Sequence, residues 1–203
     1  MLKHKKIFPI LLSIFFIHSI LLADDNYQIV RIYSDKQIVK KGEHVVVSVE
    51  YDVSDGNKNL SGLGIRIHYN SQNFDLLTYD SILEYGKQGE PILIDEEKSI
   101  DDGDSNTDKC IVIAWATYGD PSWPKYYDIP LEILRMTFQV KDTWSYTSSN
   151  TFFNLSQTSI DVRYDFKGFN RQITLLNPNS DINKDGITNL IDVIQVFKNL
   201  ADF

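Results

Sequence analysis

Close to the C-terminus, Asp181, Asn183, Asp185, Asn189 and Asp192 carry side-chain oxygens at positions 1, 3, 5, 9 and 12 of one stretch, with Gly186 at position 6. Calcium takes six to eight oxygen ligands at about 2.3–2.6 Å, and this spacing wraps oxygens around a single centre. Asp181, Asn183 and Asp185 are expected to supply one side-chain oxygen each and Ile187 its backbone carbonyl. Asn189 would supply an oxygen directly or through water, and Asp192 both carboxylate oxygens. Gly186 allows the sharp turn that a side chain would obstruct. Calcium is the expected cofactor.

A second acidic stretch comprises Asp95-Glu96-Glu97 and then Asp101, Asp102, Asp104 and Asp108 around Gly103. Two readings of it stand. Asp101, Asp102, Asp104 and Asp108 are candidates for a second metal site, in which a cation would relieve their repulsion. Alternatively the loop is simply solvated, since it meets no fixed ligand spacing. Aromatic rings cluster at Trp115, Tyr118, Trp123, Tyr126 and Tyr127. Trp115 is expected in the core, whereas Trp123 and Tyr126, in a proline-flanked loop, are candidates for stacking on a glycan. Catalysis is not expected. Beyond the first two dozen residues the histidines are His44 and His68, too few parts for a Ser-His-Asp triad or a three-histidine zinc site. Acids abound, but nothing marks out one pair for glycosidase chemistry.

The elements that must position these residues are mostly strands. Val45, Val47, Val49 and Tyr51 alternate with Val46, Ser48, Glu50 and Asp52, and Leu63, Ile65, Ile67 and Tyr69 with Gly64, Arg66, His68 and Asn70. That is the period of half-buried strands. Leu134, Met136, Phe138 and Val140 continue the pattern, and similar runs lie near 28–34, 74–79, 110–118, 151–155, 159–164 and 171–176. Turn signals separate them at Lys41-Gly42, Asp55-Gly56-Asn57, Asp102-Gly103-Asp104, Gly119-Asp120-Pro121 and Lys167-Gly168. With no amphipathic helix between strands, an all-β antiparallel sandwich or barrel is predicted. After the oxygen-rich loop, Leu190, Val193, Ile194, Phe197 and Leu200 fall on one face of a helix, opposite Gln195, Lys198 and Asn199. Such a stripe must be buried on its own sandwich, on a second copy or on a partner, and is the candidate partner-binding face.

The start of the chain reads differently. Lys3, His4, Lys5 and Lys6 precede an apolar stretch from Ile7 to Leu22 and then Ala23, the pattern of a signal peptide over residues 1–23. A secreted or cell-surface protein is expected, with no membrane span once the leader is cleaved. The 203 residues thus divide into leader, sandwich with linker at 24–178, and calcium loop with helix at 179–203. A net charge of −8, more negative still without the leader lysines, argues against nucleic acid or anionic lipid as partner. The lone Cys110 excludes an intrachain disulfide and is expected to be a small buried hydrophobe, so calcium is the natural stabiliser outside a cell.

Three segments carry a family resemblance: Lys41-Gly42-Glu43-His44-Val45-Val46-Val47; Leu63-Gly64-Ile65-Arg66-Ile67-His68-Tyr69-Asn70 with Phe74-Asp75-Leu76; and Leu134-Arg135-Met136-Thr137-Phe138-Gln139-Val140. Together they resemble the cohesin-like modules of bacterial surface and cellulosome scaffold proteins. The resemblance implies a nine-stranded jelly-roll or immunoglobulin-like sandwich and a non-catalytic role. The C-terminal stretch resembles one type I dockerin repeat: Pro178 and a polar linker stand where an EF-hand has an entering helix, and Asp192 rather than Glu ends the loop. Dockerins carry two such repeats, and one is present here. The two resemblances imply calcium-dependent association with a protein partner, or self-association, at or outside a bacterial cell surface. A carbohydrate-binding module of a polysaccharide-degrading system, with similar architecture, is the alternative.

Overall fold

The structure, a computed structural model, describes residues 26–80, 87–88, 91–97, 100, 102–117, 123–177, 182–183, 185–187 and 189–201. The expected leader, the turn at Gly119–Pro121, Asp101 and Asp181 lie outside these residues. The strands are β1 (Tyr27–Ser34), β2 (Ile38–Val39), β3 (His44–Val53), β4 (Asn59–Leu60), β5 (Gly62–Tyr69), β6 (Phe74–Asp80) and β7 (Lys87–Gln88). They continue with β8 (Ile92–Asp95), β9 (Lys109–Ala116), β10 (Trp123–Pro124), β11 (Leu131–Val140), β12 (Asn150–Ser159), β13 (Asp165–Phe169) and β14 (Arg171–Leu175). One helix, α1 (Leu190–Ala201), follows. Among the described residues no helix is long and apolar enough to cross a membrane.

Two sheets face one another, with strand orders β13-β1-β3-β11-β6 and β2-β14-β12-β5-β9-β7, β8 also pairing with β9. In β3, the residues Val45, Val47, Val49, Tyr51 and Val53 are buried while every alternate residue is less so, which is the pleat acting on a period-two pattern. A slip of one residue would turn this set outward, so the pattern sets the register. The core holds two aromatic groups. Phe74, Phe138, Phe153 and Trp144 meet at ring separations of 5.0–6.0 Å. Trp123 lies 4.7 Å from Tyr51 and 6.0 Å from Trp115. Gly62 opens β5 at φ 142°, where an added Cβ would stand 2.1 Å from the Trp115 carbonyl oxygen. The two strands close there only because position 62 has no side chain.

The sandwich is the one expected, with differences in detail. Fourteen strand segments are described rather than nine, because short pieces such as β2, β4 and β10 pair at the rims. The sheets are not wholly antiparallel: β1 pairs with β13, and β2 with β14, in parallel. The run at 159–164 becomes a turn, and Lys167-Gly168, read as a turn, lies inside β13. The cause is Asp161, almost wholly buried, whose carboxylate accepts N–H groups from Ser61 (2.9 Å) and Arg163 (3.1 Å) and the Arg163 guanidinium (2.8 Å). Its own N–H donates to Gln28 Oε1 at 2.7 Å, and Gln28 Nε2 donates to Tyr51 Oη and the Gly62 carbonyl. A side chain that satisfies so many buried donors outweighs strand propensity.

The Arg163 side chain, ahead of the opposing effect of burial, holds the Asp161 carboxyl far below the usual carboxylate range. A depressed folded pKa means stability present above the unfolded value of about 4 and lost as pH falls below it. Asp161→Asn should therefore cost about 1.5–3 kcal/mol at pH 7, as lost bonds to a charged group do. It should also flatten the decline in urea midpoint between pH 5 and pH 3, measured beside the parent chain.

Candidate functional site

Two side-chain clusters are positioned by this frame. The first is the C-terminal loop, which leads directly into α1. Asn189 caps the helix, its Oδ1 accepting the Ile191 N–H at 2.6 Å, while Asp192 Oδ2 accepts the Asn189 N–H at 2.7 Å. Asp192 thus reaches back to the cap residue as in a capping box, while the cap oxygen itself meets the amide one residue earlier than that motif has it. Asp192 Oδ1 reaches back across the loop to the N–H groups of Ile182 (2.8 Å) and Asn183 (3.2 Å). These amides, Asn189 first, hold the Asp192 carboxyl below its ordinary range. Asn183 Oδ1 accepts the Asp185 N–H at 3.0 Å, and Asp185 Oδ1 accepts the Ile187 N–H at 2.8 Å, so each oxygen-bearing side chain curls over the backbone two residues on. Gly186 makes the turn at φ 87°.

The donor set fits a hard cation: Asn183, Asp185, Asn189 and Asp192 all offer side-chain oxygens. Asp192 Oδ1 accepts two N–H groups and Oδ2 one, so Oδ2 keeps a lone pair to offer a cation. The loop rests on the sandwich. A Cβ at Gly186 would stand 3.0 Å from Lys40 Nζ, and Lys36, Val39, Glu43, Leu176 and Ile187 border a cavity of about 290 Å³ at that junction. The helix stripe does not follow the loop onto the sandwich. Leu190 is 71% exposed, Val193 47%, Ile194 43% and Phe197 66%. The Leu200 side chain lies outside the described residues.

The second cluster corrects the reading of the acidic loop. Asp102 and Asp104 share the Asn154 amide, which donates to them at 2.8 and 3.3 Å, while Asp108 is engaged elsewhere. Asp108 closes a turn, accepting the Ser71 N–H (2.6 Å) and hydroxyl (2.7 Å). Asp104 bonds within the loop to Asn106, and burial, which would raise its carboxyl, is outweighed by the bonds from Asn106 and Asn154. Asp102 instead joins His68 and Glu96, with ligand atoms within 4.8 Å of one another. His68 points away from the core, on the outer face of β5, yet is fully buried where Glu96 and the 102–108 loop meet it. Its Nδ1 contacts Glu96 Oε1, and its Nε2 lies 2.7 Å from the Ser156 hydroxyl. Burial raises the Glu96 carboxyl, against the opposing pull of His68. Hydroxyl, imidazole and carboxylate in series is the order of a hydrolytic triad, so counting histidines understated what the fold brings together. Here the imidazole is sealed from solvent with both nitrogens engaged, and the series pins the loop to the sheet.

Sequence reasoning passed over His68, Glu96 and Ser156 as site residues. Parity alone places His68 on the outer face with Gly64 and Arg66, which reads as solvated, and only the covering loop reverses that. Cys110, opposite His68 in register, is buried as expected, and burial pushes its thiol up to about 11. Trp123 is a further correction: it is fully buried between Tyr51 and Trp115 and presents no ring face to a sugar. Tyr126 remains exposed, at 71%, with Lys125 Nζ 5.5 Å from its ring centre.

No family model matches this chain, and no curated protein matches it. Among solved structures it is similar to cohesin modules. One is the sixth cohesin of scaffoldin B from Acetivibrio cellulolyticus, in complex with a dockerin: 16% identity, 73% of this chain and 99% of that one, TM-score 0.46. Another is a type I cohesin from Pseudobacteroides cellulosolvens: 12% identity, 75% and 92% covered, TM-score 0.45. A third is a cohesin module of a Clostridium perfringens family 33 glycoside hydrolase: 11% identity, 73% and 96% covered, TM-score 0.41.

Proposed function

We propose that this chain is a secreted, non-catalytic, calcium-binding module that works by protein–protein association of the cohesin–dockerin kind, at or outside a bacterial cell surface. The observation that carries the reading is the union of loop and helix through Asp192. One carboxylate ties residues 182, 183 and 189 together, and the helix it lies in leaves Val193, Ile194 and Phe197 exposed. Calcium in the loop sets the direction of α1, and a protein partner covers its apolar stripe. The sequence resemblance to cohesin-like and dockerin-like segments supports the same role. The burial of Trp123 weighs against the carbohydrate-binding alternative, since it leaves Tyr126 as the sole remaining glycan candidate.

Sedimentation velocity and surface plasmon resonance test the reading together, the second against an immobilised type I cohesin. In calcium the chain should self-associate or bind the cohesin, and chelator should reverse this. Val193→Asp and Phe197→Asp should each lower affinity at least tenfold by burying a charge at the contact. A chain that stays monomeric and unbound in calcium, or variants that bind like the parent, would sink it.

A further inference from the structure

We propose that His68, Glu96 and Asp102 form a second metal site, for a first-row divalent cation such as zinc, chemically distinct from the C-terminal calcium loop. Three elements distant in sequence contribute: β5 gives an imidazole, the end of β8 a glutamate and the 102–108 loop an aspartate. An imidazole nitrogen with two carboxylates is the mixed donor set of zinc and its neighbours rather than the all-oxygen set of calcium. The ligating histidine is already oriented. Ser156 engages Nε2 at 2.7 Å, which aims Nδ1 at the carboxylates, the outer-partner arrangement usual for metal-bound histidine.

Hydrogen counting gives an independent reason. The Thr107 hydroxyl, itself 8% exposed, lies 2.8 Å from the Asp104 carbonyl, 2.9 Å from Asp102 Oδ1 and 3.3 Å from Glu96 Oε2. One hydroxyl hydrogen cannot serve three acceptors, so two of these contacts set lone pair against lone pair. Among the described residues no lysine or arginine forms an ion pair with Glu96, Asp102 or Asp104; His68 is the partner of Glu96. Asp102 also accepts from Asn154 Nδ2 (2.8 Å) and the Asp104 N–H (2.9 Å), but these donors are neutral; a bound cation supplies positive charge and turns lone pairs left over at the Thr107 contacts into ligands. Tetrahedral zinc ligands at 2.0–2.2 Å stand roughly 3.4 Å apart. The three ligand atoms, all within 4.8 Å of one another, are near enough to close on one ion by side-chain adjustment.

Zinc titration of the full-length, tag-free chain, calorimetrically and in saturating calcium, tests the site. The parent should bind one equivalent. Glu96→Gln and Asp102→Asn should weaken it by more than the roughly 10–100-fold that losing an outer partner costs, and Ser156→Ala by about that amount. Asp185→Ala, in the calcium loop, should leave zinc affinity unchanged. Imidazole nitrogen resonances of the labelled parent give a readout independent of variant folding: Nδ1 of one buried histidine should shift on adding zinc. Absence of zinc uptake, ligand variants that bind like the parent, or an unshifted buried imidazole would each overturn the assignment. Uptake confined to His44 or surface acids would do so too.

Discussion

Calcium at a hundredfold excess over its dissociation constant should stabilise the folded chain by about 2.7 kcal/mol, the amount mass action gives a ligand bound only by the folded state. The effect should reach the sandwich as well as the helix, because Gly186 and Ile187 lie against Lys40 and the residues around it. A thermal melt followed by far-ultraviolet circular dichroism should shift upward in calcium and return in chelator. Asp185→Ala and Asp192→Ala should erase most of the shift. The two differ in chelator: Asp192→Ala also strands the N–H groups of Ile182, Asn183 and Asn189 at the helix start, costing about 0.5–2 kcal/mol with no metal present. Asp185→Ala gives up exposed bonds to Ile187 and Asn183 but leaves the Asp192 contacts in place, so it should cost less than Asp192→Ala in chelator. A calcium response unchanged in both variants would place the metal elsewhere.

Trp123→Ala should be the most damaging single truncation considered, at about 3–5 kcal/mol, the range for a buried aromatic removed from a core. Its ring is fully buried against Tyr51 and Trp115, so the space it leaves is lined by large groups held on opposing strands. Trp123→Phe is the informative control. Among the described residues Trp123 Nε1 has no hydrogen-bond partner, so phenylalanine removes an unsatisfied buried donor while keeping most of the packing. Its cost should be well under that of alanine. Urea unfolding of both variants measures the difference. A Trp123→Ala chain as stable as the parent would contradict the buried position and return this residue to the surface role that its sequence neighbourhood suggested.

The error at Trp123 shows where sequence reasoning stops. A proline-flanked aromatic in a loop looks exposed because no period marks it, and β10 is only a two-residue pairing with β4. What buries it is Tyr51 from β3 and Trp115 from β9, neither of them near it through local structure. By contrast, β3 was legible residue by residue, since alternation is a local consequence of the pleat, and the inward residues of β5 and β11 were too, although His68 and Ile133 on their other faces are also buried. The 159–164 run had the composition of a strand and lost it to Asp161, whose partners Ser61 and Gln28 are remote in sequence.

The two clusters divide along the same line. The proposed calcium loop is a single stretch of chain, so the spacing of Asn183, Asp185, Gly186, Asn189 and Asp192 could be read directly, and the amphipathic stripe of α1 with it. The sequence alone determined the alternation that builds the sandwich, the spacing of oxygen-bearing side chains in the loop and the existence of the apolar face. Only the tertiary structure decided that this face is left uncovered by the sandwich, that Asp108 serves a turn, and that His68, Glu96, Asp102 and Ser156 meet. Local periodicity encodes which side of a strand a residue takes. Whether a loop then folds over that side depends on contacts between segments many residues apart, which no short window of sequence contains.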